Sequence, residues 1–359
     1  MVSAVVSSKS QVGGRLVRVV LADDGIRFDG RTLENEPLGG VESSVTFLVR
    51  ELAKRGHTVS VHNRCDQAMS SDGVDWVPLS EGLPDEADLY IANRANQLIG
   101  LMPKARKNIF WIHNPARYLL KWRYLSKLWR YRPTVVFIGD VHATTLPNWT
   151  PDGGRKVIPY GIPDMFRTAE VASSPPAPRA VFTSNPLRSL DWLLNLWDTS
   201  IRPRSPEAEL HIFSGPATYG DIGQAKAAEM EKVFDQARGL ADKGVVLRGP
   251  VPKNQLIEEL RQARVMLYRG DENETFCLAV GEAQALGVPS IVQPIGSVTE
   301  RVIDGETGYV AATDIAFADA AVKLLGDDNL WQAQHKRALE KQRSWGWPEA
   351  AQAFEELVS

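Results

Sequence analysis

The chain has 359 residues, 43% of them hydrophobic and 24% charged, an ordinary composition for a soluble globular protein and long enough for two domains with separate cores. Two cysteines, Cys65 and Cys277, stand far apart outside any CxxC pair, which argues against a disulfide framework or thiolate zinc site and fits a reducing cytosol. No apolar run approaches the ~20 residues that span a bilayer, and the first fifteen residues lack a signal-peptide core. The expectation is therefore a cytoplasmic protein, with any membrane contact peripheral, on the inner face.

The net charge of −3 hides a segregation. From Leu89 to Gly139 there is no Asp or Glu among ten Lys and Arg, so this stretch carries +10 and the rest of the chain −13. Such a field attracts phosphate groups, anionic lipid or nucleic acid.

In chain order, Leu16–Ala22 reads as a buried strand. A loop runs to Leu38, then Gly39-Gly40 opens a helix over Val41–Arg55 that Gly56 stops. Strands follow at Thr58–His62, Asp88–Ala92, Asn108–His113 and Thr134–Ile138. The Ala-, Ser- and Pro-rich run 169–180 marks a linker. The alternation resumes with strands at Ala180–Thr183, Leu210–Phe213, Val245–Leu247, Val265–Tyr268 and Ser290–Gln293. Helices fall at Leu187–Ser200, Gln224–Arg238, Asn254–Gln262 and Phe276–Leu286. Alternation of this kind predicts an α/β fold with two Rossmann-like domains facing across a cleft, ligands binding at the carboxyl ends of the strands. The expected division is 1–168, 169–340 and a C-terminal segment 341–359.

Asp271–Gly287 reads DENETFCLAVGEAQALG. Glu274 precedes a helix and Glu282 lies about two turns along it, at ~3.6 residues per turn. The helix start offers free N–H groups and a positive dipole end, a natural diphosphate site. One carboxylate suits sugar hydroxyls and the other ribose hydroxyls, because ionised acceptors bind hydroxyl donors strongly.

The longer string from Glu274 to Val310 resembles the donor-binding region of the retaining glycosyltransferases of group 1, or family 4, with the GT-B fold. The matching features are Glu274, Glu282-Ala283, Gly287-Val288-Pro289, Glu300 and Gly308. Val157–Gly161 with Ile162 and Phe166 resembles the segment that closes that family's first domain. Trp345-Gly346-Trp347 resembles the approach to its last helix, which crosses back onto that domain.

This resemblance implies transfer of a hexose-type sugar from a UDP- or GDP-sugar donor to a glycan, glycolipid or other acceptor. It also implies retention of configuration and no metal or other cofactor. Glu274 and His113, at a strand end in WIHNP, would position the donor sugar. Arg188 would neutralise the leaving diphosphate with the amides of Thr275, Phe276, Cys277 and Leu278, and Glu282 would take the ribose. Gly39 and Gly40 would bring backbone amides to phosphate or acceptor, and Arg248, Gly249 and Val251 would flank the base. The family's Lys a few residues after the Arg is missing here, which leaves Arg188 alone or Arg269 as second cation.

Ala116–Pro133, ARYLLKWRYLSKLWRYRP, places Tyr118, Trp122, Leu125 and Trp129 at helical spacing beside Arg123, Lys127 and Arg130. Three readings stay open: a core-packed helix with a solvated face, a surface for an anionic membrane that suits a lipid-linked acceptor, or a basic pocket for an acidic soluble acceptor. No nucleic-acid recognition motif accompanies the charge. A nucleotide-sugar epimerase or phosphorylase on the same architecture, and a catalytically weak homologue that binds donor, are the competing functions. A nicotinamide-dependent oxidoreductase is disfavoured, since no G-x-G-x-x-G follows the first strand.

Overall fold

The computed structural model describes residues 16–36, 38–216 and 220–358, without the side chains of 220–222. The first fifteen residues, part of the expected first domain, lie outside the described residues.

Two sheets form. The first comprises β1 (Arg18–Asp23), β2 (Thr58–Asn63), β3 (Met69–Ser71), β4 (Val74–Pro78), β5 (Leu89–Asn93), β6 (Lys107–Trp111), β7 (Thr134–Phe137) and β8 (Arg155–Val157). Its order is β3-β4-β2-β1-β5-β6-β7-β8, parallel except for β3 against β4. The central strand β1 is buried at Val19–Asp23, because helices cover both faces of a parallel sheet. The hairpin β3–β4 and the edge strand β8 were not predicted; they are three to five residues long, too short for a periodicity signal. The helices here are α1 (Thr32–Asn35), α2 (Gly40–Lys54), α3 (Trp122–Tyr131) and α4 (Asp140–Thr144). Val45, Leu48, Val49 and Leu52 give α2 its buried stripe.

The second sheet holds β9 (Arg179–Phe182), β10 (Glu209–Ile212), β11 (Val245–Leu247), β12 (Val265–Leu267), β13 (Ser290–Val292) and β14 (Gly308–Val310). All its pairs are parallel, in the order β11-β10-β9-β12-β13-β14. Its helices are α5 (Asp164–Arg167), α6 (Leu190–Leu196), α7 (Gly220–Ala225), α8 (Ala227–Arg238), α9 (Lys253–Arg261), α10 (Leu278–Ala285), α11 (Asp314–Gly326) and α12 (Asp328–Gln342). The predicted helix Leu187–Ser200 starts only at Leu190, because Ser189 adopts a left-handed φ of 64°. Arg188 therefore sits in a loop at the carboxyl end of β9.

The chain crosses between the two units twice. Ile162 and Phe166 join the second core. The last helix, α13 (Trp347–Glu355), returns to the first, where Trp347, Ala350, Ala351 and Phe354 are buried. Burying an aromatic side chain of this size contributes roughly 1.5–3 kcal/mol. The crossings touch: Ile162 bridges Gly346, and a Cβ on Gly161 would fall 2.2 Å from the Trp347 backbone nitrogen. Glu355 fixes the far end of α13 through Arg55 Nη2 at 2.7 Å and His57 Nε2 at 2.6 Å.

Candidate active site

The carboxyl ends of β1, β5 and β6 face those of β9 and β12 across a cavity of about 550 Å³. Two hydrogen bonds close the cleft at depth. Thr275 Oγ1 donates to the His113 carbonyl at 2.5 Å, and the Val141 amide donates to Glu300 Oε1. Burial raises the Glu300 carboxyl above its usual range, against the lowering effect of the bond from Val141.

On the C-terminal wall, a turn from Asp271 to Glu274 delivers Glu274 to a cluster of donors. Its Oε1 accepts the Cys277 amide at 3.1 Å. Its Oε2 accepts Tyr268 Oη at 2.9 Å and Arg188 Nη1 at 2.5 Å. The carboxylate thus holds the turn just before α10 and pairs with the Arg188 guanidinium. Cys277 reaches this position with a left-handed φ of 63°, and burial keeps its thiol protonated. Two turns on, both oxygens of buried Glu282 accept from Lys253 Nζ, at 2.6 and 2.7 Å. Lys253 opens α9 just after Pro252, and its ammonium lies 5.6 Å from the centre of the Phe166 ring.

On the N-terminal wall, Asn93 Nδ2 donates to Asp23, so Asn93 Oδ1 is the acceptor for His113 Nε2–H at 2.5 Å. His113 Nδ1 then accepts from Tyr160 Oη at 2.5 Å. Burial, reinforced by the positive field of Arg94, holds His113 well below its ordinary pKa and therefore neutral. Arg94 donates to both oxygens of Asp23, at 2.9 and 2.8 Å, and to Glu42 Oε1 at 2.9 Å.

The structure brings Gly39, Gly40, His113, Arg188, Glu274, Thr275, Phe276, Cys277, Leu278 and Glu282 to this cleft. It does not bring Arg248, Gly249, Val251 or Arg269 to its lining. Arg248 turns to Glu259 at 3.1 Å, Gly249 turns the chain with a φ of 71°, and Val251 packs against the second core. Arg269 follows Tyr268, whose side chain points to Glu274, so strand alternation sends Arg269 the other way. It lies 4.9 Å over the Trp192 ring and bonds Gln293 at 2.9 Å. Both ring nitrogens of His113 are engaged within the protein, and the ring is buried at the cleft wall.

Sequence reasoning missed Lys253, Glu42, Arg94 and Tyr268, all of which except Tyr268 line the cleft. A signal for Lys253 existed: it directly follows the turn after a strand's carboxyl end, where ligands bind in such sheets. In the basic stretch, Tyr124 and Leu128 face the core, while Trp122 and Trp129 are 79% and 70% exposed. Of the four residues at helical spacing, Tyr118 packs against the core, Leu125 is half-buried, and the two tryptophans face outward, so a stripe of all four packed in the core is set aside. The turn at Ala116–Leu120 is 3-10 and breaks before α3, rotating the tryptophans outward. Among the residues lining the cleft, none comes from α3.

Two parallel α/β units around a cleft, joined by a double crossing and a returning helix, define the GT-B architecture. Residues 177–327 match the family model described as Glycosyl transferases group 1. A D-inositol 3-phosphate glycosyltransferase from Corynebacterium diphtheriae is 30% identical over 158 residues, covering 43% of this chain and 35% of that protein. Its counterpart from Streptomyces avermitilis is 34% identical over 150 residues, 41% of this chain and 31% of that protein. The matched segment thus spans about a third of these relatives' length. Among solved structures, trehalose-6-phosphate synthase OtsA aligns with a TM-score of 0.74 at 10% identity, covering 95% of this chain and 98% of that one. Anabaena HepE in complex with UDP and glucose aligns at 0.70 and 14% identity, covering 95% and 98%. Sucrose-phosphate synthase from Thermosynechococcus elongatus aligns at 0.70 and 16%, again covering 95% and 98%. At these identities the likeness speaks for the fold.

Proposed function

We propose that the protein is a glycosyltransferase that moves a hexose-type sugar from a UDP- or GDP-sugar to an acceptor hydroxyl, with retention of configuration and no metal or other cofactor. The observation that carries this reading is the pairing on the C-terminal wall, where Arg188 rests on Glu274 and Lys253 on Glu282. A nucleotide-sugar donor matches that pattern group for group. Its sugar and ribose hydroxyls replace the cations on the two carboxylates, and its diphosphate takes the two released cations. As the anomeric bond breaks, negative charge grows on the diphosphate, and Arg188, Lys253 and the α10 amides stabilise it. Glu274 and the His113 edge orient the sugar, and the acceptor attacks from the same face. Lys253 thus takes the role of the lysine missing after Arg188.

The acceptor is a glycan or lipid-linked molecule. Trp122 and Trp129, beside exposed Lys121, Arg123 and Arg130, suit an anionic bilayer surface that would bring a lipid-linked acceptor within reach. The described residues contain no helix long and apolar enough to cross a membrane.

Thermal titration with UDP, GDP, ADP and dTDP, on wild type and Glu282→Ala, tests the donor reading. One nucleoside diphosphate should raise the melting temperature of wild type, with much of the shift lost in the variant. No response to any diphosphate, or equal responses in both proteins, would refute it.

A further inference from the structure

We propose that the N-terminal wall of the cleft is an acceptor subsite for a neutral or cationic polyhydroxyl group and rejects a phosphate monoester. The inference rests on the donor reading above, which assigns the opposite wall to the nucleotide sugar.

Two features of this wall would ordinarily attract an anion: the start of α2 at Gly39-Gly40, and the Arg94 guanidinium. Both are already covered by carboxylate. Glu42 stands at the third helical position of α2 and is buried. A Cβ on Gly39 would lie 2.6 Å from Glu42 Oε2, so the carboxylate is folded back against the helix start, where it meets the positive end of the dipole. Its other oxygen takes Arg94 Nη1 at 2.9 Å. The remaining side of Arg94 lies on Asp23, which is fully buried, at 2.8 and 2.9 Å. A Cβ on Gly25 would fall 1.8 Å from Arg94 Nη2, so main chain covers the guanidinium there too.

One cation thus faces two carboxylates, and His113 beside them is neutral. When a donor diphosphate holds Arg188 and Lys253, the wall left for the acceptor carries a net negative charge. A phosphate monoester brings about −1.5 to −2 at neutral pH and would meet Glu42 with no unpaired cation in the cleft lining to receive it. Hydroxyl or ammonium groups would donate to the same carboxylate. The relatives are named for a phosphorylated acceptor; this wall argues that the acceptor of this chain differs in that respect.

The test uses the protein saturated with whichever nucleoside diphosphate binds it, titrated with inorganic phosphate and with glucose 6-phosphate at constant ionic strength, read by calorimetry. Wild type should show no saturable binding up to about 20 mM. Glu42→Gln, which uncovers the α2 start and one side of Arg94, should gain saturable binding at least tenfold tighter. Saturable binding to wild type, or a folded Glu42→Gln that gains nothing, overturns the proposal. If Glu42→Gln does not fold, the wild-type titration decides alone. If no nucleoside diphosphate binds, the donor reading has failed. The acceptor assignment then falls with it, whatever a phosphate titration of the free protein shows.

Discussion

Replacing Lys253 by Met separates the two tasks assigned to this residue. In the free protein its ammonium neutralises Glu282, whose side chain is 6% exposed. Removing one partner of a buried pair costs roughly 3–5 kcal/mol. Lys253 itself is 35% exposed, so solvent screening reduces the expected loss to roughly 1–2 kcal/mol. Each kcal/mol lowers the melting temperature by about 2–4 °C in a domain of this size. In the proposed donor complex the same ammonium would bond the diphosphate, a charge-assisted contact of roughly 1.5–3 kcal/mol, so the Kd for the nucleoside diphosphate should rise about 10–100-fold. The unphosphorylated nucleoside should behave differently. With the ribose on Glu282 as proposed, Lys253 would compete with it, so removing Lys253 should leave nucleoside affinity unchanged or tighter. Calorimetric titration of both proteins with diphosphate and nucleoside reads the difference. Equal weakening of the two ligands would refute the phosphate role and reduce Lys253 to a structural partner of Glu282.

Three further outcomes follow from local geometry. Gly161→Ala places a methyl group against the Trp347 backbone, where it has no room; it should cost about 1–3 kcal/mol, seen as a lower urea midpoint. His142 accepts the Ile138 amide on Nδ1 and donates from Nε2 to the Asn114 carbonyl, and burial lowers its pKa from 6.5 to about 4. The unfolded chain therefore binds the proton first. The stability this neutral ring contributes is complete above pH 6.5 and is lost as pH falls towards 4, about 2 kcal/mol by pH 5; the unfolding free energy of wild type from urea titration should fall over that window by this much more than that of His142→Gln. Trp122→Ser/Trp129→Ser should leave the melting temperature within about 1–2 °C, since surface changes lie within ±0.5 kcal/mol. Its sedimentation with phosphatidylglycerol vesicles should drop roughly tenfold, and unchanged sedimentation would remove the membrane from the proposal.

The order of strands and helices was legible because buried parallel strands read as short apolar runs and their helices end at glycines such as Gly56 and Gly287. What escaped were the edges of both sheets, where β3, β4, β8 and β14 are too short to show a period, and the direction in which α3 presents its aromatics. A helical spacing alone cannot say which stripe meets the core. The 3-10 turn before Trp122 sets that phase, leaving Tyr124 and Leu128 inward.

The cations of the site show the same limit more sharply. Arg188 was legible because it lies in a loop close behind a strand. Arg269 carried an equal charge at an equal strand end, yet its neighbour Tyr268 already occupies the side that faces Glu274, and a strand cannot send two successive side chains to one face. Lys253 and Glu282 stand 29 residues apart on different helices, so only the packing of α9 beside α10 reveals them as partners. The same holds for Asp23, Glu42 and Arg94, drawn from β1, α2 and the end of β5. Sequence names the two carboxylates of the C-terminal wall, Glu274 and Glu282. Which cation rests on each, and therefore what charge remains for the second substrate, is decided where separate elements meet.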